Sequence, residues 1–298
     1  MRYFFTCCLC IIVLLASCNS TNTNNNKAVQ DNLHAKGFSV THHNGYTVVE
    51  ISNPWKSNAI LQRFTLVPSS ATLPDSLPDG AVIRTPVKSA LVYSAVHANA
   101  IKELGHLSSI TGVCDAQYFT IPEITSGVAD GTIINAGSSM APVAERIIAL
   151  SPDIVLLSPY QNSGYAEHIP KGIPIVECAD YMESSPLGRA EWIKLFGLLF
   201  NEEQKADSIY SHVVDRYTNM KKLIESEPNR PKILSENIIN GTWYVPGGNS
   251  YMAQMFADAG GSYAWSDVNT TGSIPLDMAQ VLSKAHDADV WLIKSFDP

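Results

Sequence analysis

Charged residues are scarce. Asp, Glu, Lys and Arg make up 16% of the 298 residues, against about 25% in an average domain, while hydrophobic residues reach 45%. A chain this apolar buries a sizeable core, which excludes bulk disorder. Basic clusters are missing. The formal net charge is -8 and the isoelectric point about 5.4, which excludes a nucleic-acid-binding surface. No apolar run reaches the roughly 20 residues of a spanning helix. There is no CxxC and no zinc-ligand spacing. GxSxG, P-loop, HExxH and GxGxxG motifs are all absent. Pro246-Gly247-Gly248-Asn249 lacks the order that holds a pyrophosphate at a helix start. An enzyme is therefore the third choice, behind a binding protein and an interaction protein.

What is present begins with an export signal. Arg2 supplies the positive charge and Tyr3 through Ala16 the apolar run, too short for a spanning helix and read as a secretory signal. Leu15-Ala16-Ser17-Cys18 looks like a lipoprotein box, so residues 1–17 are expected to leave and Cys18 to carry the lipid. Residues 18–36 read as a polar tether, because Asn19 through Lys27 contains no apolar residue. Of six cysteines, only Cys114 and Cys178 then remain in the folded part. Each follows a short apolar run, so both are expected at strand ends. They are either two small buried residues or, in an oxidising compartment, a pair.

Residues 37–85 form a β-rich N-terminal element and its connection, with strands over Gly45–Ile51 and Ala59–Val67. From about residue 86 the texture changes. Ala90–Tyr93, Ile110–Cys114, Thr132–Ala136, Asp153–Leu157 and Ile173–Cys178 read as strands, with helices over His97–Leu104 and Ala141–Leu150. This is the grammar of a parallel sheet covered on both faces, and it predicts a first α/β lobe over 86–200. Pro186–Glu227 is helical by its 3.6-residue spacing. Its last 27 residues, 201–227, predict one helix of roughly 40 Å, long enough to join two lobes. A second α/β lobe, 228–298, has a strand at Lys232–Ser235, helices at Tyr251–Ala259 and Leu276–Ala285 and a strand at Asp289–Ile293. That lobe is short: a parallel unit would add a further strand and helix after Ile293. An internal echo relates the lobes, since Glu145–Ile148 before Asp153–Leu157 parallels Ala279–Leu282 before Asp289–Ile293.

The segments Leu91–Gly105 and Ile110–Cys114, the run Glu145-Arg146-Ile147-Ile148-Ala149-Leu150-Ser151-Pro152-Asp153-Ile154-Val155-Leu156, the long helix and the Ala257–Gly261 stop together resemble a known family. It is that of the periplasmic substrate-binding lipoproteins of ABC importers for ferric siderophores, haem and vitamin B12. The resemblance covers about residues 86–298. It implies two Rossmann-like lobes with mainly parallel sheets, joined by one long helix, with the ligand in the cleft between them. It further implies a binder rather than an enzyme, with no cofactor of its own and a metal chelate as ligand. The implied partners are a permease in the inner membrane and the membrane itself, held through the lipid anchor on the periplasmic or extracytoplasmic side. The chain itself is expected to act as a monomer.

In a parallel sheet, ligands bind at the carboxyl edge. By position that edge offers Ser94, Val96, His97, Gln117, Tyr118, Tyr160 and Gln161, with Asn237, Trp243 and Tyr244 from the second lobe. In the family, one exposed glutamate per lobe docks on the permease. Glu145 matches the first of these positions. The second falls on Ala279, with Asp277 two residues earlier as the substitute. Pro142 is expected at the first helical position, which puts Glu145 in the first turn. Three alternatives stand beside this reading: a vitamin B12-specific binder, a zinc or manganese binder using His97 and His106, and an interaction lipoprotein on the same fold.

Overall fold

The computed structural model describes residues 32–161 and 165–293. The signal, Cys18 and most of the tether lie outside the described residues. Four strands open the fold: β1 (Phe38–His43), β2 (Tyr46–Ser52), β3 (Ile60–Pro68) and β4 (Ala81–Thr85). They form one sheet in the order β1-β2-β3-β4, antiparallel until β4 runs parallel to β3. The alternation read in the sequence is real, and it buries Phe38, Val49, Ile51, Phe64 and Ile83 on one face. This sheet shares a core with the first lobe, where Phe38 meets the edge of Trp192 at 5.1 Å.

The first lobe runs through β5 (Ala90–Val92), α1 (Ala95–Glu103), β6 (Ile110–Val113), α2 (Pro122–Asp130) and β7 (Ile134–Asn135). A small hairpin, β8 (Gly137–Ser138) and β9 (Ala141–Pro142), leads into α3 (Ala144–Leu150), then β10 (Ile154–Leu157) and β11 (Ile175–Glu177). The parallel sheet is ordered β11-β10-β5-β6-β7. Its apolar runs face two cores in strict alternation. Ala90, Val92, Ile154 and Leu156 join the core shared with the N-terminal sheet, while Leu91, Val155 and Leu157 pack on the α3 side with Ile147. Two details differ from expectation. Helix α2 fills a stretch with no expected element, and α3 starts at Ala144, so Pro142 lies on β9 rather than at the helix start.

The cysteines do sit at the ends of β6 and β11, both buried and both free. Two strands separate β6 from β11, so three spacings of about 4.8 Å put the pair about 14 Å apart. A disulfide needs Cα atoms within about 7 Å. Burial, with Asp115 alongside, pushes the Cys114 thiol up to about 12, although Tyr93 pulls the other way; burial also raises Cys178. Both are unreactive packing residues.

The predicted 186–227 helix is three helices: α4 (Pro186–Glu191), α5 (Ile193–Phe200) and α6 (Glu203–Ile224). Asn201 takes the left-handed conformation that ends α5. Helix α6 is therefore 22 residues, or about 33 Å, and starts two residues later than expected. Its first half buries Ala206 and Tyr210 against the first lobe. Its second half reaches the second lobe, where Tyr217 donates to Asp258 at 2.8 Å and Lys221 pairs with the same carboxylate at 2.7 Å.

The second lobe holds β12 (Lys232–Ser235), β13 (Ile238–Ile239), β14 (Thr242–Pro246), α7 (Tyr251–Asp258), β15 (Ser262–Tyr263), β16 (Ser273–Leu276), α8 (Met278–Ala285) and β17 (Val290–Leu292). Strands β15-β12-β17 form a parallel sheet and β13-β14-β16 an antiparallel one. The internal echo has a shared device. Asp153, just before β10, accepts the Lys88 and Ser89 amides at 2.8 and 3.0 Å at the start of β5. Asp289, just before β17, accepts the Lys232 amide at 2.8 Å at the start of β12. Each carboxylate ties two parallel strands together at their amino ends.

Residues 33–36, expected within the polar tether, are held against the first lobe. Glu191 is fully buried, and its carboxylate accepts the amides of Leu33, His34 and Ala35 at 2.9, 2.7 and 2.8 Å. Glu183 accepts those of Lys36 and Gly37, and the Trp192 indole at 2.8 Å. A side chain at Gly37 would stand 2.6 Å from Trp192, so only glycine lets the backbone come this close. Burial alone would raise the Glu191 pKa, but the Ala35, Leu33 and His34 amides and Lys194 outweigh it and hold the carboxyl below its usual range. A lowered folded pKa contributes stability that is complete above the unfolded value of about 4.3 and lost as pH falls through the folded one. Glu191→Gln is expected to cost about 3 kcal/mol at pH 7. Urea midpoints should show the gap to wild type closing as pH falls below about 4; a constant gap over that range would contradict the clamp.

Candidate functional site

The carboxyl edge of the first lobe's sheet is built from the turns after each strand. Ser94 caps α1 by accepting the Val96 amide at 3.2 Å. After β6, Asp115 takes a left-handed conformation and a single 3-10 turn carries Gln117 and Tyr118, both exposed. Asp115 accepts the Ser139 amide at 3.1 Å and so holds the β8–β9 hairpin, whose tip exposes Met140. After β10 come Tyr160 and Gln161, again exposed, and after β11 a 3-10 turn, Asp180–Met182.

That last turn is where the lobes meet. Tyr181, with Glu236, Tyr244, Tyr251, Met252 and Ser273 of the second lobe, lines a cavity of about 270 Å³. The Tyr181 hydroxyl donates to the Pro159 carbonyl at 2.6 Å, which fixes the ring. Burial, with Tyr160 and Asp180 nearby, pushes its pKa up to about 12, so it stays protonated. A neighbouring groove of about 350 Å³ runs between α1, α4, α5 and α7, and Tyr251 borders both spaces. There the Arg189 guanidinium lies 4.4 Å over the Tyr251 ring and donates to Asp180 at 3.0 Å.

Several predicted wall residues have other tasks. His97 is buried on the inner face of α1, with Nε2 3.2 Å from Asp180 and its ring against Phe196. It belongs to an Arg189–Asp180–His97 chain along the neighbouring groove rather than to the cavity that Tyr181 lines. Burial would raise the Asp180 pKa, yet His97 and Arg189 hold it below the usual range. Trp243 points into the second lobe's core, where its indole donates to the Ser235 carbonyl at 3.0 Å; Tyr244, next along the strand, faces the cavity. Asn237 is exposed just beyond β12. His106 goes to Glu202 at 2.9 Å, away from His97, and no cluster of metal-ligating residues exists among the described residues.

Of the two docking candidates, Glu145 is exposed in the first turn of α3. Asp277 is exposed too, but it caps α8. Its carboxylate accepts the Gln280 amide at 2.7 Å while the Gln280 side chain accepts the Asp277 amide at 2.9 Å. Both helices feed the amino end of a parallel strand, so both carboxylates lie toward the carboxyl-edge side of their sheets. The residues that sequence reading missed are Tyr181, Glu236 and Tyr251. The strand-end rule applied after Cys178 would have found Tyr181; nothing local marks the other two.

The chain is 29% identical to an uncharacterized lipoprotein of Methanocaldococcus jannaschii, over 97% of this chain and 78% of that one. Among solved structures it resembles the triscatecholate siderophore binding protein of Bacillus subtilis complexed with ferri-bacillibactin, with a TM-score of 0.56, 16% identity, and 71% and 72% of the two chains covered. It also resembles the molybdate-bound periplasmic binding protein of a Haemophilus influenzae ABC transporter, with a TM-score of 0.56, 18% identity, and 71% and 70% covered. At these identities the structures speak for the fold. The model of the periplasmic binding proteins matches residues 96–296, about two thirds of the chain from the first lobe's opening helix to beyond its last strand, and the chain therefore belongs to the periplasmic binding protein family, one of binders rather than enzymes.

Proposed function

We propose that the protein is a lipid-anchored solute-binding protein that captures a metal chelate between its lobes and delivers it to an ABC-type permease. The chelate classes are a ferric siderophore, haem or a corrinoid. The observation that carries this reading is the tyrosine-lined cavity formed jointly by Tyr181 and the second lobe. At about 270 Å³ it takes the edge of a chelate, and the exposed rings of Tyr118 and Tyr160 on the same sheet edge provide further apolar wall. Helix α6, rooted in both lobes, is read as the hinge that limits closure, since bending it would break backbone bonds. Mixed with coloured chelates and gel-filtered, the protein should carry visible absorbance in its own peak. Scattering profiles of free and loaded protein should nearly superimpose; a large contraction would remove α6 from the hinge role.

Lipid attachment at Cys18 is part of the proposal, and the relative named a lipoprotein supports it. Cys18→Ser should yield a soluble or uncleaved precursor with chelate binding intact. A Ser variant that still fractionates with membranes after processing would rule the anchor out.

Glu145 and Asp277 are proposed as the permease contacts. Glu145→Arg should abolish uptake with ligand affinity nearly unchanged, because an exposed first-turn residue costs the fold only about 0.5 kcal/mol while like charges meet at the permease. Asp277 needs a control, since its loss also removes a helix cap at about 1 kcal/mol. Asp277→Ser keeps a capping oxygen without the charge. If it too blocks uptake, the charge docks; if only Asp277→Arg does so together with a lowered melting temperature, the residue is a cap alone.

A further inference from the structure

Helices α3 and α8 repeat one another position by position. Val143 occupies the N-cap of α3 and Asp277 that of α8. Counted from the cap, the second residue is Glu145 in one and Ala279 in the other. The third is tied back to its own lobe in both. The Arg146 guanidinium donates to the Asn135 carbonyl at 2.6 Å, and the Gln280 side chain accepts the Asp277 amide. The fourth is buried, Ile147 in α3 and Val281 in α8. The fifth is a large aliphatic residue turned outward, Ile148 at 61% exposure and Leu282 at 53%. Met278, one helical turn before Leu282, is exposed beside it.

A single exposed aliphatic side chain is ordinary on a protein surface. Its recurrence at one position of the corresponding helix in each lobe is different, because the packing of each lobe is served by the fourth residue, not the fifth. Ile148 lies three residues after Glu145, so the two share a face of α3. That is the face proposed above for the permease. In the second lobe Ala279 stands where Glu145 would, so the element common to both lobes is apolar rather than charged. A bilayer fits this face poorly. Helices that lie on membranes set cations beside their apolar residues, whereas on α3 the neighbour is a carboxylate and Arg146 is bonded to Asn135. A partner that touches both lobes at once accounts for a feature present once per lobe. Resting on the permease-docking reading above, we infer that Ile148 and Leu282, with Met278 at the side of Leu282, are paired apolar anchors that seat in sockets of the permease, one socket per lobe. Burying such a side chain multiplies affinity about tenfold. Unlike the Glu145 contact, this contribution is not screened by salt.

The test is photo-cross-linking in living cells, using the full lipidated chain with p-benzoylphenylalanine in place of Ile148 or of Leu282. Leu73, also exposed and on the connection between β3 and β4, is the control position. Adducts from both lobes should contain peptides of an ABC permease subunit, and the control should yield none. With the probe at 282, Ile148→Gln should lower the permease adduct about tenfold, and Ile148→Val should preserve it. Melting temperatures should stay at the wild-type value, because the side chain is exposed. Permease adducts that Ile148→Gln leaves unchanged show proximity without contribution and overturn the anchor role. An adduct from one lobe alone overturns the pairing. Adducts with lipid alone, or with a second copy of the chain alone, overturn the inference in favour of a membrane-resting or a self-associating face. If neither probe reaches the permease while Glu145→Arg still blocks uptake, the apolar anchors fall and the docking reading stands. If Glu145→Arg leaves uptake unimpaired as well, the docking reading falls with them.

Discussion

Two buried carboxylates hold the start of the fold to the rest. Between them, Glu191 and Glu183 take the amides of five successive residues, Leu33 to Gly37. Burying a carboxylate costs several kcal/mol unless its charge is met. Here it is met by backbone donors, each such bond contributing about 1.5–3 kcal/mol. With that strand entry fixed, Phe38 reaches Trp192 and the N-terminal sheet lies over the first lobe. The Glu183 backbone carbonyl also accepts the first amide of α7, from Tyr251, at 3.1 Å. One residue thus gathers the N-terminal segment, the first lobe and the second at a single point beside the cleft.

The cleft follows from how the two parallel sheets are set. Asp153 and Asp289 fasten strand pairs at their amino ends, which leaves the carboxyl edges to the turns. The first lobe's edge is then shaped by backbone-directed side chains: Ser94 caps α1, Asp115 holds a hairpin and the Tyr181 hydroxyl is pinned to Pro159. These contacts tie the wall's turns to their own backbone.

Much of this was legible in the sequence. The buried strands are apolar runs bounded by turns, and a strand covered on both faces has no other way to be written. Helix α2 escaped because Pro122–Asp130 buries only Ile124 and Gly127, too few for a stripe. Trp243 and Tyr244 cannot both be wall residues, because a strand sends neighbours to opposite faces, and of the two only Tyr244 reaches the cavity. His97 was similarly readable: with Ile101 and Leu104 it forms an i, i+4, i+7 stripe, so it turns inward. Its partners, Asp180 and Arg189, lie more than eighty residues on, and no local pattern connects them. Tyr181 and Glu236 lie closer along the chain, but their meeting depends on how α6 sets one lobe against the other.

The grip on residues 33–37 has a mechanical meaning. Whatever pulls on the chain from its N-terminal side delivers the load to the first lobe at Glu191 on α4 and at Glu183 just before it, through hydrogen bonds that share it among five amides. The second lobe is attached to the first through α6, the Tyr251 amide on Glu183 and the Asp258 ion pair. The first lobe is therefore the pedestal and the second the arm.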